Sequence, residues 1–151
     1  LLLLYMSYKG IYRPSNPKKY KGDSQNIIYR SLWERKFMNY CDLNENVLEW
    51  ASEEFWIPYL DPTTNRVRRY FPDFFIKYRD KDSNVRRTVI EVKPMRETLE
   101  PKVTKGKSRK TLINESVTYV KNQAKWKAAR EFCADRKLEF KIMTEKELGI
   151  R

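Results

Sequence analysis

The sequence predicts an α/β sandwich, a central mixed β-sheet flanked by helices, and three observations carry that expectation. Residues 70–78 and 88–93 are rich in aromatic and β-branched side chains and flank a charged, turn-forming link at 79–84, as the strands of an antiparallel hairpin do. Apolar residues recur at helical spacing on both sides of this β-rich middle. A last alternating run, 138–143, supplies a further strand after the second helix. The order is therefore α, β-meander, α, β, with neither an internal repeat nor a second domain.

Taken in order, residues 1–5 (four leucines and a tyrosine) are too short to span a membrane and lack the flanks of a signal peptide. They read as an artefact or as unregistered upstream residues, with Met6 as a native start. Residues 6–23 form a basic arm. Its prolines, glycines and lysines argue against a helix or strand interior. Its interleaved tyrosines suit either phosphate contact with base stacking or simple packing of a solvated tail. Residues 24–151 are expected to form one domain. A first helix is expected over 24–42, capped by Asp23 or Ser24, with Ile28, Leu32, Trp33, Phe37 and Tyr40 facing the core. Short strands follow at 47–50 and 55–59, then a turn at 61–65, with Arg66 to Tyr70 leading into the strand of Asp73. Residues 94–111 read as a mobile basic loop. A second helix is expected from a cap at Asn114 to about Arg136, burying Val117, Val120, Ala124, Ala128 and Phe132, with Lys125 on its flank. Residues 144–147 would start a last short helix.

Composition narrows the partners. The chain has 151 residues, enough for one domain with a real core, and a formal net charge of +12. Nucleic acid is the expected partner of such a charge. No Lys/Arg-rich amphipathic anchor stands out, so a membrane is not expected. Cys41 and Cys133 suggest neither a disulfide framework nor a zinc site. There is no histidine, which removes His-activated nucleophiles and His-metal nuclease designs.

The chemistry gathers at the hairpin. Asp73 and Glu91 would lie opposite each other near its open end, with Glu91 and Lys93 on one face and Val92 on the other. Two carboxylates and the Val92 carbonyl suit Mg²⁺, which takes a few protein oxygens alongside waters and phosphate oxygens. Lys93 could orient a water or stabilise developing negative charge. An ordinary polar hairpin with a surface salt bridge is the plainer alternative. Arg68 and Arg69 could hold phosphates or merely guard a sheet edge. Lys105, Lys107, Arg109 and Lys110 in the basic loop, Lys18 and Lys19 in the arm, and Arg30 are the other candidate DNA contacts.

Pro72-Asp73 followed by Glu91-Val92-Lys93 resembles the PD-(D/E)xK nuclease signature. The likeness extends through the basic arm, Tyr29-Arg30-Ser31 with Glu34, Ser52-Glu53-Glu54, Ile57-Pro58-Tyr59, Arg68 to Phe74, and Glu91 to Pro94. This set resembles the T-even phage head completion nuclease family, which is similar to the catalytic domain of the TnsA transposon endonuclease. Trp126, Ala129, Phe132 and Cys133, with Phe140, Ile142, Thr144 and Glu145, fit the same pattern. The resemblance implies a restriction-endonuclease-like fold and a Mg²⁺-dependent endonuclease, with Mn²⁺ as a substitute metal. It implies double-stranded DNA as substrate, capsid or portal partners, and action in the host cytoplasm and virion head after packaging. It places Glu34, Asp73, Glu91 and Lys93 at the catalytic positions, with Glu34 joining Asp73, Glu91 and Val92 around the metal. Taken alone, Glu34 reads as a helix ion-pair partner. Glu91 is itself a departure from TnsA at the acidic position. A structural plug or a DNA-binding module without chemistry are the alternatives.

Overall fold

The structure, a computed structural model, describes residues 8–147. Its centre is the expected hairpin. Strands β6 (Phe74–Arg79) and β7 (Val85–Val92) pair antiparallel from Phe74↔Ile90 to Arg79↔Val85. The Asp80 carboxylate closes the turn by accepting from the N–H groups of Asp82 and Asn84, both at 2.9 Å. β3 (Val47–Ser52) pairs antiparallel with the other edge of β6, and β8 (Glu139–Met143) pairs parallel with β7. The sheet order is β3-β6-β7-β8, mixed as predicted. A parallel pair needs a long crossover, and α2 (Arg109–Asp135) supplies it.

Two small sheets complete the layers. β4 (Ile57–Asp61) and β5 (Arg66–Tyr70) form a hairpin packed on α2. β1 (Gly10–Tyr12) pairs with β2 (Ile27–Tyr29) ahead of α1 (Leu32–Leu43). The core is split accordingly. One cluster joins Trp33, Met38 and Cys41 of α1 to Tyr12, Tyr20, Trp50, Phe74, Ile76 and Ile90. The other joins Trp126 and Ala129 of α2 to Ile57, Tyr59 and Tyr70. Among the described residues no helix is long and apolar enough to cross a membrane.

The structure corrects several local expectations. The first helix does not run from 24. Ile27-Ile28-Tyr29, two β-branched residues and an aromatic, form a strand, and Ser31 restarts the chain as helix by accepting from the Glu34 N–H at 3.1 Å. Tyr40 is exposed rather than core-facing. The arm is not free of regular structure: it contains β1 and a 3₁₀ turn at Pro17–Lys19. It is stapled down because buried Asp42 accepts from Ser15 N at 2.7 Å, Asn16 N at 2.9 Å and the Tyr12 hydroxyl at 3.1 Å. Tyr12 and Tyr20 meet Trp50 edge-on, at 5.9 and 4.7 Å between centroids. Residues 70–78 are not one strand. Pro72, which lacks an N–H, separates β5 from β6.

α2 starts at Arg109, capped by Ser108 rather than Asn114, so the basic loop is shorter than expected and holds a 3₁₀ turn at Met95–Thr98. The buried residues of α2 are Asn122, Trp126, Ala129 and Cys133, whereas Val117 and Val120 are exposed. No residue of α2 before Asn122 is buried, so the apolar spacing there meets no core. Residues 144–147 form a turn instead of helix, with Glu147 Oε2 accepting from Thr144 N and Oγ1 at 2.7 Å each. Residues 1–7 and 148–151 lie outside the described residues.

Candidate active site

Alternation along β7 aims the site. Ile90 and Val92 pack toward the α1 cluster, so Glu91 faces the opposite layer, made of α2 and the β4–β5 hairpin. Extending the β6–β7 register one residue past Phe74↔Ile90 sets Asp73 across from Glu91. Asp73 Oδ2 accepts the Val92 N–H at 2.7 Å, which locks the acid onto the neighbouring strand. Glu91 is only 5% exposed, and its Oε2 accepts from the Tyr70 hydroxyl at 2.6 Å. Lys93 Nζ stands 3.8 Å from Glu91 Oε1.

The electrostatics set this pair apart. Burial, then the charge of Glu91, pushes the Asp73 carboxyl well above its usual range. Burial also raises Glu91, against the Tyr70 hydrogen bond and the charges of Lys93 and Lys125. Burial and Glu91 together push the Tyr70 phenol up, so it remains a donor. Glu34 sits at the N-terminus of α1 in a variant capping box, its Oε2 accepting the Arg30 N–H at 2.7 Å. It is half-buried, and its pKa is raised by burial, with Glu53 and Glu91 adding to the rise. The acid from α1 thus lies within electrostatic reach of the hairpin acids rather than turned away to solvent.

Residues 44–145 match the family described as TnsA-like endonuclease N terminal. The head completion nuclease of Enterobacteria phage T4 is 38% identical over 143 residues, 93% of this chain and 93% of that protein. The chain belongs to the TnsA-like endonuclease family. The resemblance seen in the motifs is therefore borne out, and the α/β architecture agrees with the restriction-endonuclease-like fold it implied. The family match contains Asp73, Glu91 and Lys93, while Glu34 precedes it.

The donor chemistry of this TnsA-like site fits a hard divalent cation. Half-buried Asp73 and buried Glu91 face each other, and each would be stabilised as the anion by a cation between them. Among the described residues no three Asp, Glu, His or Cys side chains form a ready-made metal cage. A Mg²⁺-type site uses only a couple of carboxylates and leaves positions for water and phosphate oxygens.

The basic residues singled out in the sequence divide into two groups. Lys19 is tied to the carbonyls at the end of α1, donating to Asp42 O at 3.0 Å and Asn44 O at 2.8 Å. Arg30 pairs with Glu53 at 3.2 Å, Arg68 with buried Asp61 at 3.0 Å, and Lys107 with Glu115 at 2.8 Å. Lys18, Lys105, Arg109 and Lys110 are exposed, and Arg69 lies over the Trp56 ring at 4.8 Å.

Two residues at the site escape the sequence reading. By pattern Tyr70 is no more than the start of a strand, and Lys125 no more than a helix flank. Yet Lys125 is half-buried, with Nζ 5.8 Å from the centroids of both Tyr59 and Tyr70. Burial lowers its pKa, against the pull of Glu91. A signal is present: Lys125 is three residues after Asn122 and four before Ala129, at the edge of the face that α2 does bury.

Proposed function

We propose that this chain is a Mg²⁺-dependent endodeoxyribonuclease that hydrolyses phosphodiester bonds of double-stranded DNA in phage head completion. The observation that carries the reading is the facing Asp73–Glu91 pair with Lys93 beside it, in a TnsA-like chain of net charge +12. Asp73, Glu91 and the Val92 carbonyl would hold the metal, with Glu34 reaching it from α1 through a bridging water; Mn²⁺ would serve in its place. When bound, such an ion polarises a phosphate oxygen and lowers the pKa of a water.

The protein's own groups do the rest. The Val92 N–H holds Asp73 and the Tyr70 hydroxyl holds Glu91, so both carboxylates present fixed oxygens. Lys93 orients the attacking water and stabilises the charge that develops on the phosphate. Lys125 adds a second positive charge beside Glu91. The exposed cations Lys18, Arg69, Lys105, Arg109 and Lys110 would grip DNA phosphates without reading sequence. The T4 relative is named for head completion, and on that basis capsid or portal components would be the partners of this chain, in the host cytoplasm and the virion head. The test is cleavage of linear and supercoiled DNA with Mg²⁺ and with chelator. Cleavage that requires the metal supports the reading; binding without cleavage at any metal concentration would leave only a DNA-binding module.

A further inference from the structure

We propose that a groove between the β1–β2 hairpin and α1, roughly opposite Glu34 around the helix, binds single-stranded DNA. The proposal rests on the reading that this chain acts on DNA, and adds a site outside the acidic centre. The groove has a volume of about 560 Å³ and is lined by Tyr12, Arg13, Tyr29, Leu32, Arg35 and Lys36, among others. No carboxylate lines it. Leu32, Arg35 and Lys36 share one stripe of α1 because they are three and four residues apart.

Two features together mark this groove as a binding site. First, its cations are free. Among the described residues Arg13, Arg35 and Lys36 make no ion pair, whereas Lys21, Arg30, Arg68, Arg86 and Lys107 all do. Three like charges converging on one concavity, with no acid to offset them, call for a polyanion. Second, the groove has a fixed aromatic wall. The Tyr29 ring lies so close over Gly10 that any Cβ there would collide with its phenol. Tyr8 stacks on Tyr29 at 6.3 Å and 16°, and the Arg35 guanidinium stands 5.7 Å from the Tyr29 centroid. Tyr8 is 52% exposed, so the stack continues outward as an open ring. Free cations that track phosphates beside flat rings that accept bases are the parts of a single-strand site. A duplex would use the cations alone, because its base faces are already covered.

The test uses the full chain in EDTA and reads fluorescence anisotropy of a labelled oligodeoxythymidine and of a duplex of equal length. Arg35→Gln/Lys36→Gln should weaken oligodeoxythymidine binding about tenfold and duplex binding by less than about threefold. Tyr29→Leu should repeat the single-strand loss by removing the stack. The double variant alters exposed side chains only, so it remains informative if Tyr29→Leu does not fold. With Mg²⁺ restored, cleavage of plain duplex by the double variant should equal wild type. The proposal is overturned if the wild type does not bind the oligodeoxythymidine, if the double variant binds it undiminished, or if single-strand and duplex binding fall together. Absence of duplex cleavage by the wild type would overturn the nuclease reading alone, because the groove is probed without metal.

Discussion

The β4–β5 turn and the open end of the β6–β7 hairpin both take carboxylates out of water, and they treat them in opposite ways. At the β4–β5 turn, Asp61 has no exposed surface, yet donors surround it. Its Oδ1 accepts from Thr63 N at 2.9 Å and Thr63 Oγ1 at 2.6 Å, while Arg68 Nε and Lys121 Nζ approach Oδ2 at 3.0 and 3.8 Å. The Thr63 hydroxyl, helped by its N–H and by Lys121, holds the Asp61 carboxyl down at about 2. At the open end of the β6–β7 hairpin Glu91 is also buried and Asp73 half-buried, but there burial, joined at Asp73 by the charge of Glu91, raises both pKa values. Burial of an acid therefore does not single out a functional site in this fold. What differs is the neighbouring charge: Asp61 stands beside Arg68 and Lys121, whereas Asp73 faces a second acid, Glu91, and that repulsion is what a cation would relieve.

The largest expected effect tests the hairpin end. Asp73→Asn should lower the cleavage rate by about 10³-fold or more. Because the folded pKa of Asp73 is raised, its ionised form opposes folding above that pKa, and the opposition fades as pH falls through it toward the ordinary aspartate range. The metal-free Asn variant should therefore melt above wild type at pH 7, with the gap closing on acidification. A variant that cuts normally, or melts lower, would make Asp73 a structural acid like Asp61. Lys93→Ala should cost about 10²- to 10³-fold in single-turnover cleavage while DNA affinity measured without metal is kept. A loss confined to affinity would move Lys93 from the chemistry to DNA contact.

Asp61→Asn should do the reverse of Asp73→Asn: lower the melting temperature and leave cleavage by the folded protein intact. With a depressed folded pKa, the Asp61 contribution is complete above the ordinary aspartate range and is lost as pH falls through about 2. Melts between pH 7 and pH 2 should show wild type and variant converging at the acid end. Mg²⁺ at about ten times its Kd should stabilise wild type by about 1.4 kcal/mol and leave Asp73→Asn unmoved, read by calorimetry. Equal stabilisation of both would place the metal elsewhere. The smallest effect compares free with paired cations. Lys105→Gln should flatten the salt dependence of DNA binding by about one unit of slope. Lys107→Gln should change it less, since Lys107 is tied to Glu115 and to the Lys102 carbonyl.

Local sequence is enough to specify the hairpin and its acids. Period-two alternation and the turn at Asp80 are properties of neighbouring residues, so the placement of Asp73 across from Glu91 is legible in the chain alone. From α1 onward the order of elements is legible for the same reason, while β1 and β2 ahead of it are not. Where α1 begins is a matter of long-range contact, because helical spacing at Ile28 and the β-branched run 27–29 compete, and pairing with β1 settles the contest. Long-range contact also selects the face that α2 buries: Val117 and Val120 have the right spacing but no sheet beneath them, while Trp126 and Ala129 meet the β4–β5 hairpin. The same is true of Tyr70 and Lys125. Each stands beside Glu91 through a contact across many residues of chain, and no local pattern encodes which distant side chain a folded sheet will bring to an acid.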